Sequence, residues 1–367
     1  MFLAIRDIRF AKGRFAMMGG VVALITLLLV MLSGLTAGLA EQSTSAIDKL
    51  GASAARPVDT IAFGAPGKAE PKASYTDSSV TAAQVDRWRN QPGVRSAEPL
   101  GITQTRAQTA SGSATANVAV FGVTPGSSLA PAGVTAGTAV VGSSIAEALS
   151  VGQGDTVSLG GVDLSVAAVV PDQWYAHTSV VWTALPAWAK TAHVSEGGQL
   201  ATVVAVTYAG GAAVDEAAAD AAAGTVSKSR TGSFQALGSF KSENGSLTLM
   251  QAFLYGISAL VIVAFLTVWT IQRTRDIAVL KAMGAPGSYI LRDAMAQAAI
   301  VLVAGAGVGG AAGVAAGSLA AKAAPFLLGP GTTVVPVVGI VALGLAGAAL
   351  AVRRATTVDP LLALGGN

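Results

Sequence analysis

The sequence predicts a membrane protein with four transmembrane helices and a large α+β extracytoplasmic domain inserted between helices 1 and 2. Three observations predict it. The chain has 367 residues, of which 52% are apolar and only 12% charged, against about 25% charged in an ordinary soluble domain. Its apolar residues collect in four long runs that are nearly free of charge. Arg and Lys collect in the short segments at one end of those runs, and this asymmetry sets orientation across a bilayer.

At the N-terminus, residues 1–16 carry Arg6, Arg9, Lys12 and Arg14 against Asp7, a cytoplasmic basic flank. Residues 17–39 hold no charge and reach about 35 Å as a helix, enough for a ~30 Å hydrocarbon core. A secretory signal is the alternative, with Gly38-Leu39-Ala40 as the small-residue cleavage site, but the run exceeds a usual h-region. Either reading exports the residues after Ala40.

Residues 40–248 form the extracytoplasmic domain, long enough to bury a core of its own. Thr81–Gln91 reads as a helix, with Val85 and Trp88 on one face and Pro92-Gly93 as its stop. Asn117–Val123 reads as a strand and Val140–Leu149 as a short amphipathic helix. In Asp155–Val170 the apolar residues Val157, Leu159, Val162, Leu164 and Val166 alternate around Gly160-Gly161, a hairpin signature. Ser179–Trp182 and Leu200–Tyr208 read as strands, and Val214–Ala223 as a helix capped near Asp215. Segments 62–79 and 103–116 are rich in small and polar residues and read as exposed connections.

Residues 249–271 are the second span and 272–293 a cytoplasmic loop bearing Arg273, Arg275, Lys281 and Arg292 against Asp276 and Asp293. Residues 294–321 are the third span. There Gly305, Gly309, Gly313 and Gly317 recur every four residues and open a groove on one helix face. Gly34 and Gly38 make a shorter pair in span 1. Residues 322–333 form a short external loop, 334–352 the fourth span, and 353–367 a cytoplasmic tail with Arg353 and Arg354. Both termini therefore fall on the cytoplasmic side.

Several chemistries are excluded. With no cysteine there is no disulfide, thiolate metal site or cysteine nucleophile. A net charge of +3 does not argue for nucleic acid. His177 and His193 lack an H-E-x-x-H setting, Ser143-Ser144 lacks a nucleophile elbow, and no phosphate loop occurs, so nucleotide-driven work needs another chain. Trp174, Tyr175 and His177 read as a packed aromatic corner rather than a ligand site. Asp155 reads as a turn residue, and Asp215, Glu216 and Asp220 as a solvated helix face. No catalytic residue and no metal site is expected.

The segment Gln272–Gly287 reads QRTRDIAVLKAMGAPG. Ile277 and Leu280 are three apart, and Gly284 with Pro286-Gly287 ends the pattern. It fits a short amphipathic helix lying on the membrane or a partner, or an ordinary basic anchor.

Arg273–Ala285 resembles the cytoplasmic signature of FtsX-like, MacB-type ABC transporter permeases. Val141-Gly142, Ala148-Leu149 and Val151–Val157 resemble the end of that family's external domain, and Arg353-Arg354-Ala355 with Val358–Leu364 its tail. The family's layout, one span, a large external domain and three spans, matches nearly the whole chain. The resemblance implies a homodimeric permease in the bacterial cytoplasmic membrane. It implies a separate cytoplasmic ABC ATPase that holds ATP and Mg, and an amphipathic N-terminus with Phe2, Ile5 and Arg9. It places ATPase coupling on Arg273, Arg275, Asp276, Ile277, Leu280, Lys281, Met283 and Gly284.

The N-terminal run looks most like the haem-exporter or devC-like branch, which implies haem or another amphiphile as cargo. The spans hold no histidine or cysteine to ligate iron. Met17, Met18, Met31, Glu41 and Tyr255 are the candidate substrate contacts, with methionine as packing filler the plain alternative. Lipoprotein release, control of an external cell-wall hydrolase, and a non-transporting receptor or scaffold are the competing functions.

Overall fold

The computed structural model describes residues 12–52, 57–131, 133–194, 198–210, 212–272, 279, 283–284 and 286–356. The chain divides into two compact units, Ala40–Asn244 and the residues on either side of it.

The second of these is helical. Helices α1 (Lys12–Asp48), α6 (Gly238–Gln272), α7 (Gly287–Ala320) and α8 (Pro330–Thr356) each contain a segment long and apolar enough to cross a membrane. They extend beyond the apolar runs at 17–39, 249–271, 294–321 and 334–352. Helix α7 takes in the last residues of the segment read as a cytoplasmic loop, and α8 begins inside the segment read as an external one. Hydroxyls inside the spans return to their own backbone, Thr26 Oγ1 to the Val22 carbonyl at 2.8 Å and Thr36 Oγ1 to that of Leu32 at 2.7 Å. In lipid no water would satisfy them.

The other unit is built on strands. Its named elements are β1 (Thr60–Phe63), α2 (Ala82–Arg89), β2 (Val94–Thr109), β3 (Thr115–Val123), β4 (Thr138–Gly142) and α3 (Ser143–Leu149). They continue with β5 (Thr156–Leu159), β6 (Val162–Val170), β7 (Trp174–Tyr175), β8 (Thr178–Ala184) and α4 (Leu185–Thr191). The last are β9 (Val203–Tyr208), α5 (Glu216–Ala223) and β10 (Val226–Ser229). Four strands run antiparallel in the order β10-β1-β9-β2, with α2 between β1 and β2 and α5 between β9 and β10. This is the split β-α-β arrangement of ferredoxin-like folds.

Everything from β3 to α4 is inserted between its second and third strands. The insertion closes on itself, β2-β3-β8-β4-β6-β5, and β5 pairs back to β2 with Ala107 opposite Leu159. Closure removes the free edges of these strands. The 16-residue β2 serves both parts: Val94–Leu100 pairs with β9 and Gly101–Gln108 with β3.

Local chemistry explains the individual elements. Thr81 and Gln84 form a reciprocal capping box at the start of α2, and Asp215 accepts from Ala218 N at 3.0 Å at the start of α5. Between β5 and β6, Leu159 lies opposite Val162, and Gly160 and Gly161 both take positive φ, as the two-residue turn requires.

Two sequence readings are corrected. Segment 103–116 is not a connection: residues up to Thr109 belong to β2 and those from Thr115 to β3. Its polar composition hid a strand whose backbone is paired on both edges, by β3 and β5. Val140–Leu149 is not one helix: Val140 and Val141 lie in β4 between β6 and β8, and the helix begins at Ser143. Burial between two strands overrides the helical spacing of Ile145 and Leu149 upstream of them.

Candidate functional site

The helical unit is assembled on close approaches at glycine. A Cβ on Gly305 would lie 2.8 Å from the Gly19 carbonyl oxygen, and one on Gly313 2.8 Å from Val30 Cγ1. On Gly309 it would overlap the carbonyl of Ala23. Helix α7 thus lies against α1. Gly344 of α8 receives Leu302 of α7, while Gly339 and Gly347 of α8 receive Tyr255 and Val263 of α6. The neighbour order is α1-α7-α8-α6. Helices α1 and α6 also meet through Gln251 Nε2, which donates to Thr36 Oγ1 at 3.0 Å.

The nearest neighbours of Gly34 and Gly38 come from the loop after α7. A Cβ on Gly34 would overlap the Phe326 ring, and one on Gly38 the Pro325 carbonyl. Leu327 N donates to the Gly34 carbonyl at 3.0 Å. The same Phe326 ring lies 2.6 Å from a Cβ placed on Gly317. Phe326 is therefore a wedge from the loop after α7, buried between α1 and α7. Sequence reasoning passed over it. Its signal was a lone aromatic residue, with Pro325 before it, in a short loop whose other residues are small or aliphatic apart from Lys322.

Of the residues assigned to ATPase coupling, Arg273, Arg275, Asp276, Ile277, Leu280 and Lys281 lie outside the described residues, as does the N-terminal segment with Phe2, Ile5 and Arg9. Met283 is 71% exposed. Gly284 has φ +90°, a conformation that resists any side chain.

Of the candidate substrate contacts, Met18 and Tyr255 belong to one apolar cluster of the helical unit. Met17 is exposed, and Met18 is buried in the apolar cluster that also holds Val22 and Val301. Met31 lies about 21 Å further along α1 at 1.5 Å per residue. Tyr255 packs on Gly339. Glu41 belongs to the other unit, where it pairs with Lys49 at 2.8 Å. Among the described residues no group of three or more His, Asp or Glu side chains is placed to hold a metal.

In the strand-built unit the polar residues singled out from sequence have structural partners. The Asp172 carboxylate accepts from Ser143 Oγ at 2.9 Å, Ser144 Oγ at 2.7 Å and Ser179 Oγ at 2.6 Å. Partial burial pushes its pKa up, but donation from Ser179, Ser144 and Ser143 outweighs that and holds it below the ordinary carboxylate value. A Cβ on Gly142 would collide with this carboxylate, which explains the glycine of the Val141-Gly142 motif.

Asp215, Glu216 and Asp220 are not simply solvated. Glu216 accepts from Tyr208 Oη at 2.6 Å and Thr60 Oγ1 at 2.9 Å, and Asp220 accepts from Thr225 and Ser227. Burial first, and then the neighbouring Glu216, raise the Tyr208 phenol.

Tyr175 does lie in an aromatic cluster, edge-on to Tyr75 and Phe121, with Phe121 edge-on to Trp182. His177 is elsewhere: its Nε2 lies 2.8 Å from Glu243 Oε2 and 3.2 Å from Ser43 Oγ.

Residues 15–223 match the MacB-like periplasmic core domain, and residues 228–360 match the FtsX-like permease C-terminal family. The uncharacterized ABC transporter permease Rv2563 of Mycobacterium tuberculosis is 26% identical, over 100% of this chain and 99% of that protein. A Staphylococcus epidermidis protein named as a hemin transport system permease, HrtB, is 28% identical over 131 residues, 36% of this chain and 37% of that one. Among solved structures, the extracellular domain of the noncanonic ABC-type transporter YknZ from Gram-positive bacteria aligns with a TM-score of 0.34 at 16% identity. That alignment covers 47% of this chain and 99% of the other.

Proposed function

This chain belongs to the FtsX-like, MacB-type family of ABC transporter permeases, and from that premise we propose that it is the membrane subunit of an exporter for haem or another amphiphilic compound. The observation that carries the reading is the order of parts. One apolar helix, a MacB-like core region and three further apolar helices succeed one another along the chain.

A separate cytoplasmic ABC ATPase binds ATP and Mg, and two copies of this chain assemble with it in the bacterial cytoplasmic membrane. Both termini face the cytoplasm, as the basic flanks at Arg6–Arg14 and Arg353-Arg354 favour. Closure of the ATPase acts on residues 273–284, where the exposed Met283 offers an apolar contact. The movement passes along α1 and α6, which both continue into residues of the external domain. Apolar side chains exposed along α6, such as Phe253, Ile257 and Leu260, face lipid or the second copy.

The partial similarity to HrtB supports haem as one cargo to test. The test is reconstitution of the permease with its ATPase in vesicles, with ATP hydrolysis then measured as haemin, lipids and hydrophobic drugs are added separately. Stimulation by haemin supports haem export. Stimulation by another amphiphile alone replaces haem with that compound, and no association with an ATPase overturns the whole reading.

A further inference from the structure

The turn that joins β7 to β8 has unusual backbone. Ala176 at φ 46° and His177 at φ 63° are the one consecutive non-glycine pair at positive φ among the described residues. Such backbone persists only where its surroundings over-determine it. Here they do. Trp174 N donates to Ser45 Oγ at 2.9 Å, Ala176 N to the Ser43 carbonyl at 3.1 Å and His177 N to the Gln42 carbonyl at 3.0 Å. Strand β7 and the turn after it therefore make three hydrogen bonds to the last part of α1.

The imidazole then reaches a second helix. Its Nε2 lies 2.8 Å from the carboxylate of Glu243, near the start of α6, and 3.2 Å from Ser43 Oγ of α1. An ionised carboxylate only accepts, so Nε2 carries the proton and donates to Glu243, with the Ser43 oxygen taking a weaker share. Two other acids at the end of α1 already have cations: Glu41 pairs with Lys49, and Asp48 with Arg230. Ile47 and Leu50 beside α1's end, and Leu237 and Phe240 beside α6's start, are buried in the same core. His177 thus links two helix ends that are each built into the external domain.

We propose that His177 is a positioning residue that holds Ser43 of α1 and Glu243 of α6 at a fixed separation, and that coupling of ATP hydrolysis to export depends on this hold. The second half rests on the permease reading; the first does not. The absence of cysteine lets the hold be measured directly. Ala52→Cys and Lys241→Cys, both at exposed positions, carry spin labels on the full chain in vesicles, and pulsed electron resonance reads their separation.

His177→Gln keeps a donor at similar reach, and His177→Ala removes it, while both bear the same positive φ. The alanine variant is expected to broaden the distance distribution and the glutamine variant to keep it narrow. With the ATPase present, amphiphile-stimulated hydrolysis should fall about fivefold or more in the alanine variant and recover in the glutamine variant. An unchanged distribution in His177→Ala overturns the hold. A broadened distribution with stimulation intact overturns its role in coupling. A wild-type chain that never associates with an ATPase refutes the permease reading, and the distance measurement still judges the hold.

Discussion

Gly309 of α7 rests against the backbone of α1 at Ala23, so closely that a Cβ would overlap the Ala23 carbonyl. A backbone carbonyl cannot swing aside as the end of a side chain can. Gly309→Val should therefore force α1 and α7 apart, while Gly307→Ala, whose Cβ would meet nothing within 4 Å, should be tolerated. Overpacking costs about 1–3 kcal/mol in soluble cores. Thermal unfolding of both variants in detergent checks this, and equal midpoints would refute the seam.

Phe326 is a second test of the helical unit. Phe326→Ala removes the ring lying on Gly34 and Gly317. Its cost should stay below the ~3–5 kcal/mol of a buried phenylalanine in a soluble core, because lipid competes for the vacated surface. Proteolysis of the loop after α7 should accelerate, and an unchanged cleavage rate would deny it the role of anchor.

Trp188 plays the corresponding part in the external domain. Gly101 and Gly122 are direct partners across β2 and β3, and a Cβ on either would run into the Trp188 side chain. Trp188→Ala is expected to cost about 3–5 kcal/mol. Gly122→Ala should also destabilise, by pushing the indole away. Chemical denaturation monitored by tryptophan fluorescence and circular dichroism measures both.

Acid should weaken the Asp172 network in a defined direction. Its folded-state pKa is lowered by the serine donors, net of the burial that raises it. Its stabilisation is therefore present above the unfolded value of about 3.9 and drains away as pH falls through the lower folded value. Asp172→Asn should be less stable than wild type at pH 7, and the gap should close in strong acid. Parallel stability curves at every pH would contradict the assignment.

Met283 tests the proposed contact with the ATPase. Met283→Glu places a charge at an exposed position, so membrane insertion and thermal stability should persist while co-purification with the ATPase is lost. Retained co-purification and transport would move the contact elsewhere.

Much of this architecture is legible from local pattern. A helix needs only its own residues to satisfy its backbone in lipid, so each span is written in one contiguous stretch. The Gly160-Gly161 hairpin and the Thr81 capping box are equally local, because their partners lie within a few residues. The strand at 103–109 was hidden, since its pairing comes from β3 and from β5, the latter some fifty residues away, rather than from its own composition.

The sequence by itself determined the four spans, the basic segments that flank them, the position of the external domain and the family resemblance. Tertiary structure alone decided what each small residue receives. Gly34 and Gly38 have the same four-residue spacing as the glycines of α7, yet they take Pro325 and Phe326 of a loop, while Gly309 takes a helix. It also removed His177 from the aromatic corner and set it between Ser43 and Glu243. The physical reason is common to both. Spacing says which face of an element a residue occupies, but the group that fills that face comes from a distant part of the chain, and only the closed fold brings the two together.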